Sequence, residues 1–238
     1  MCENPRDRYV VDKNKRLYDR LESKYYIQLY FFDSPYDDGF SPWQCTIDKE
    51  KKVVTVRYFK KVETTGYFTH ELFHVALVDN GFYTTDELLL KLPFKNIDKY
   101  SINDFNNVIA HPKFYDDFIN LNYQPSEFFC DFNKDFSKII AENVLIVEEA
   151  FNSKTYSDES INSFLIIFFI AIFGKNDKYQ KKYSDDLSYL NIRVPKLFSI
   201  IETHWTAWKN SKMLDNLDFF THLFTDINSW RLTEIKEQ

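Results

Sequence analysis

Glycine is scarce, with four residues in 238. That shortage excludes Gly-rich phosphate-cradling loops and disfavours sandwich folds built on many tight turns. Cysteine is scarcer. Cys2, Cys45 and Cys130 are odd in number and widely spaced, and no C-x-x-C occurs. A disulfide framework is excluded, and the pattern describes reduced thiols in a cytosol, with Cys130 kept as a minor candidate metal ligand. Positive charge is in deficit: 30 Lys and Arg against 36 Asp and Glu give a net charge of −6. A chain that tracks a nucleic-acid backbone carries a basic patch or stripe. Here the local clusters, Lys49-Glu50-Lys51-Lys52 and Lys60-Lys61, read as solvated turns, so no nucleic-acid partner is expected. Long hydrophobic runs are missing too. The longest, Phe164 to Phe173, is ten residues, whereas a bilayer needs ~20. It reads as a buried helix, and no membrane partner is expected. The segment Met1 to Lys15 is charged and lacks the apolar core of a secretory signal, so a cytoplasmic location is expected.

What is present is an ordinary globular balance, 44% hydrophobic and 28% charged, enough to build one large domain or two small ones. The 24 Phe and 16 Tyr are read as core material, in place of Leu and Ala, and not as a platform for stacking bases. Leu17, Tyr18, Leu21 and Tyr25 predict an amphipathic helix over 12–25. Tyr26 to Phe32 predicts a strand, and Asp33 to Trp43, with Pro35, Gly39 and Pro42, a loop. Residues 44–59 predict a β-hairpin whose turn is Asp48 to Lys52 and whose return strand sets Val54, Val56 and Tyr58 on one face. Thr64-Thr65 offers an N-cap to a helix ended by Asn80-Gly81. A further helix is predicted from Ser101, with Asp104 completing a cap, to His111 before Pro112. Beyond residue 126, Glu127–Phe151, Glu159–Phe173, Lys178–Leu190, Pro195–Trp208 and Leu214–Phe224 carry helical spacing.

Within the helix after Thr65 lies His70-Glu71-Leu72-Phe73-His74, which fits H-E-x-x-H. A random chain of this composition would carry that pattern about once in one or two hundred. Residues four apart on a helix share a face, so two imidazoles at that spacing can reach one metal ion. Zinc binds imidazole nitrogen at ~2.0–2.1 Å, and catalytic zinc usually takes three protein ligands and a water. Glu71 lies about 100° round the helix from His70, where its carboxylate can reach that water without occupying the metal. Zinc brings the water's pKa to about 7, within reach of a carboxylate base. Phe68, Leu72, Phe73, Val75, Ala76, Leu77 and Val78 make the helix apolar nearly all round. Polar His and Glu in such a helix are costly unless a metal or polar cavity satisfies them.

With this motif on a helix preceded by strands and followed by a second polar-striped helix, residues 28–132 resemble the zincin metallopeptidases. The resemblance implies zinc held by His70 and His74, Glu71 as general base, and a peptide or protein substrate. The extended motif H-E-x-x-H-x-x-G-x-x-H is absent, since Leu77 and Asn80 stand at its last two defined positions. A third ligand must therefore come from further on. Asp104, Asn107 and His111 form one polar stripe, and His111 is the expected ligand. Asp104, Asp116, Asp117 and Glu127 remain as alternatives. Asn107 and Asp104 are expected to orient the ligands by accepting ring N–H groups, and Tyr123 or Tyr115 to donate to a developing oxyanion. His204 and His222, without an H-x-x-x-H partner, read as core or interface histidines.

The expectation is an α+β protein. A zincin-like catalytic region, a small antiparallel sheet plus the motif helix, covers 1–125, and a mainly helical region covers 126–238, offering a face to a partner protein. A non-catalytic binding module on the same scaffold is the alternative. The hairpin edge beside the motif helix would suit an extended peptide.

Overall fold

The structure, a computed structural model, describes residues 2–32, 43–59, 64–93, 99–128, 136–173 and 180–236. The fold is α+β, as expected from the sequence. In chain order it runs β1 (Cys2–Glu3), a 3-10 turn (Pro5–Asp7), α1 (Asp12–Glu22), β2 (Tyr26–Phe32), β3 (Trp43–Asp48), β4 (Val53–Phe59), α2 (Thr65–Asp79), α3 (Thr85–Lys91) and α4 (Lys99–Ala110). A 3-10 turn (His111–Lys113) leads into α5 (Tyr115–Asn120) and α6 (Pro125–Phe128). Then come α7 (Ser137–Ser153), α8 (Asp158–Phe173), α9 (Gln180–Arg193), α10 (Pro195–Asn210) and α11 (Asn216–Lys236).

The strands form one sheet in the order β1-β2-β4-β3. The predicted hairpin is there: β3 runs antiparallel to β4, with Asp48 opposite Val53 and Trp43 opposite Tyr58. The sheet is nevertheless mixed, which corrects the antiparallel expectation. β2 pairs parallel to β4, from Tyr26 opposite Val53 to Phe32 opposite Phe59. Period-two alternation decides which side of a strand is buried, not which strand lies beside it. Ile27 and Leu29 of β2, Trp43 of β3, and Val54, Val56 and Tyr58 of β4 are buried against Tyr18 and Leu21 of α1 and Phe68, Leu72 and Val75 of α2. Tyr26 and Tyr30, on the opposite face of β2, are exposed.

The chain folds into two compact units: Met1–Phe82 with Ala110–Phe132, and Tyr83–Ile109 with Asn133–Gln238. The sequence placed the division at 125/126 and kept 83–109 with the first region. In the structure α4 belongs with the later helices. Phe105 packs on Phe169 of α8 at 5.2 Å, and Trp208 Nε1 of α10 donates to the Ile109 carbonyl at 2.8 Å. Asn216, fully buried, accepts from Tyr83 N at 2.7 Å and donates to the Tyr83 carbonyl at 2.9 Å and to Asn106 Oδ1 at 2.7 Å.

Three boundaries and assignments shift from expectation. α4 begins at Lys99, so Ser101 does not cap it; it is buried, and its hydroxyl accepts from Asn162 Nδ2. The helix predicted over 127–151 is two, α6 and α7. His204 and His222 are not core residues. His204 pairs with Asp226 at 2.8 Å, and His222 is exposed beside Asp218. α8 buries Phe164, Leu165, Ile167, Phe168 and Phe169, and no helix among the described residues is long and apolar enough to cross a membrane.

Candidate metal centre

α2 starts as the sequence requires. Thr64 is extended, and its hydroxyl accepts from Tyr67 N at 3.1 Å, satisfying one of the free amides of the first turn. Gly81, at φ +105°, follows its C-terminal end. Phe68, Leu72 and Val75 face the sheet and are fully buried. His70 and His74, one turn apart, project toward the returning segment Ala110–Phe132 of the same unit.

His111, in the 3-10 turn that Pro112 imposes after α4, completes a cluster. His70 Nε2 and His74 Nε2 are 3.0 Å apart. Ring centroids are 5.0 Å apart between His70 and His111, and 5.4 Å between His74 and His111. One nitrogen from each histidine lies within 4.8 Å of the other two. Tetrahedral zinc at ~2.0–2.1 Å from each nitrogen would set them about 3.3 Å apart. The His70–His74 pair already meets that spacing, and the widest separation closes by about 1.5 Å, within side-chain rotation. Among the described residues no Asp, Glu or Cys joins this group.

The surroundings are aromatic. Phe128 lies 4.6 Å from His70 and 5.2 Å from His111, and Phe114 lies 4.9 Å from His74, all edge-on. His70 is buried, both ring nitrogens of His111 are out of reach of solvent, and His74 and His111 are half-buried as residues. Burial holds all three rings neutral. It pushes His74 down to about 4, and it takes His70 and His111 well below the usual imidazole range, with help from the neighbouring histidines. Neutral imidazole is the form that binds a metal. His70 Nδ1 is buried with no partner at hydrogen-bond distance, while the Phe128 backbone acts on the ring in the opposite sense to burial. The donor set, its neutrality and this buried nitrogen fit a borderline-soft cation such as zinc.

Glu71 is buried, turned to the sheet edge and not into the histidine group. Burial raises its carboxyl to about 7, and hydrogen bonds from the Cys45 side chain and backbone on β3 oppose that rise. Burial, then the facing carboxylate, pushes the Cys45 thiol well up, so it stays protonated as a donor. Sequence reasoning missed Cys45. Alternation from Trp43 through Cys45 to Ile47 sets it on the core face, but nothing local pairs that face with Glu71.

The remaining candidates are scattered. Asp104 and Asn107 lie on α4 in the other unit and are solvent-exposed, so neither has the burial that orienting a ligand would demand. Asp116 and Asp117 are exposed on α5. Glu127 accepts from Gln124 N at 2.9 Å at the start of α6. Cys130 falls outside the described residues. Tyr123 is buried, with its hydroxyl 3.0 Å from Thr69 Oγ1. Tyr115 packs edge-on against Phe128 at 4.9 Å. The aromatic wall of Phe114, Phe118 and Phe128 is absent from the sequence reading. Phe114 and Phe118 follow His111 at three and seven residues, a legible helical stripe. No protein-family model, curated protein or solved structure matches the chain.

Proposed function

We propose that the chain is a zinc-dependent metallopeptidase of the zincin type, with His70, His74 and His111 as ligands and Glu71 as the proton carrier. One observation supports this reading most: the two motif histidines and a third from the returning segment converge on one point as neutral imidazoles. Zinc bound there supplies Lewis acidity, polarising a carbonyl oxygen and acidifying water. Glu71, one residue from a ligand and outside the ligand set, would serve as the proton carrier by turning from Cys45 toward the histidine group, where its carboxylate would take a proton from water and return it to the leaving amine. Cys45 holds that carboxylate against β3, an edge strand of the sheet among the described residues. An extended peptide laid along that edge would pass beside Glu71.

The test is Glu71→Gln in the full chain. Zinc should stay at one per chain, while turnover in a broad peptide-cleavage screen is lost. Cleavage at the wild-type rate by this variant would remove Glu71 from the chemistry. A second reading, a non-catalytic module in which zinc braces the fold and the helical half meets a partner protein, is favoured by the shielding of the His111 nitrogens. One zinc per chain with no turnover in the wild type would select it.

A further inference from the structure

Thr69 stands immediately before His70. Its hydroxyl has one proton and three neighbours: the Thr65 carbonyl at 2.6 Å, Asn14 Nδ2 at 2.8 Å and the Tyr123 hydroxyl at 3.0 Å. A carbonyl can only accept, and an amide nitrogen can only donate. The Thr69 proton therefore goes to Thr65, its shortest bond, and the Thr69 lone pairs receive Asn14 and Tyr123. That commits the single proton of Tyr123. Asn14 is fully buried and fully used. Its Nδ2 also donates to the Tyr9 carbonyl at 2.9 Å, and its Oδ1 accepts from Val11 N at 2.9 Å. A tyrosine spent in this way could serve an oxyanion only by leaving a buried bond unmade.

The Tyr123 ring extends the same connection toward the histidines. It stacks on Phe118 at 4.9 Å, Phe118 meets Phe128 at 5.1 Å, and Phe128 packs on His70 and His111. Lys13 closes the outer side, with Nζ 2.8 Å from the Asn122 carbonyl and 4.9 Å from the Tyr123 ring centre. The segment that carries His111 is thus tied to α2 at the residue next to a ligand.

We propose that the Tyr123–Thr69 bond is a latch that sets His111 against His70 and His74, making Tyr123 a positioning residue of the metal centre and not its oxyanion donor. The proposal rests on the metal-binding reading above. It is tested by titrating Zn²⁺ into the full chain against a chromophoric chelator, at a temperature where each metal-free variant is folded. Tyr123→Phe keeps the ring stack and loses only the hydroxyl; zinc affinity should fall about ten-fold or more. Thr69→Val removes that bond together with those to Thr65 and Asn14, so it should weaken zinc binding at least as much, and adding Tyr123→Phe to it should cost no more than about three-fold further, because the shared bond is already gone. Thr69→Ser keeps the hydroxyl and should stay within about three-fold of wild type. Any loss of peptide turnover in Tyr123→Phe should follow its zinc occupancy and be recovered by added zinc. Unchanged zinc affinity in Tyr123→Phe overturns the latch, as does a Thr69→Ser as weak as Thr69→Val. Turnover lost at full zinc occupancy returns Tyr123 to the oxyanion. A wild type that takes up no zinc defeats the metal reading itself, an outcome distinct from these.

Discussion

Gly66 decides how closely the segment behind the third histidine can approach the motif helix. A Cβ added there would lie 2.7 Å from Glu127 Cβ and 2.8 Å from Glu127 Oε1. Cβ cannot swing away, so Gly66→Ala must push α6 off the first turn of α2. A loss of about 1–3 kcal/mol is expected in urea unfolding, and Glu127→Gly in the same chain should recover part of it. Equal stability of Gly66→Ala and wild type would show that the approach is looser than the structure has it. At this scale the site is legible in the sequence where its chemistry is local. His70, Glu71 and His74 follow from one helical repeat, and His111 from the end of a polar stripe. The same stripe misleads at Asp104 and Asn107, because a polar face is just as polar when it faces water. Tyr123 is one of sixteen tyrosines, and its partner Thr69 lies 54 positions away, beyond any local pattern.

Helices with strong local signals lie close to expectation. α1 ends at Glu22, three residues short of the predicted 25; β2 matches 26–32, and α2 runs from its Thr64 cap to Asn80. Where a pattern names a face but no neighbour, the reading fails: the parallel β2–β4 pairing joins strands separated by β3 in the chain. The split between α6 and α7 is equally invisible, since apolar spacing continues across it. α1 also carries an ion-pair cluster whose effect on stability has a definite sign. Arg6 hydrogen-bonds Glu22 and Asp19. Arg6 is the largest cause holding Glu22 below the usual carboxylate range, and Lys15 is the largest for Asp19. A lowered folded-state pKa contributes stability above the unfolded value, about 4.3 for Glu, and loses it as pH falls through the folded value. Arg6→Ala should therefore lower the urea midpoint slightly at pH 7, by an amount that shrinks with salt. That deficit should shrink as the pH falls through the lowered folded-state values of Glu22 and Asp19, and vanish once both are protonated. A deficit that persists unchanged in acid would mean that Arg6 acts through packing and not through charge.

Across the whole molecule, all three histidines and Glu71 belong to one compact unit, although the chain leaves it at Phe82 and returns at Ala110. The excursion explains why a division drawn once along the sequence could not match the structure. It also explains how His111, 37 positions beyond His74, reaches the same point. The central claim is that this point binds one metal through three imidazoles. Zinc-edge X-ray absorption on the zinc-loaded full chain tests it most directly. The account predicts three imidazole nitrogens at ~2.0–2.1 Å with one further light atom, and one nitrogen fewer in His111→Ala. A shell containing sulfur, or a His111→Ala spectrum identical to the wild type's, would contradict it.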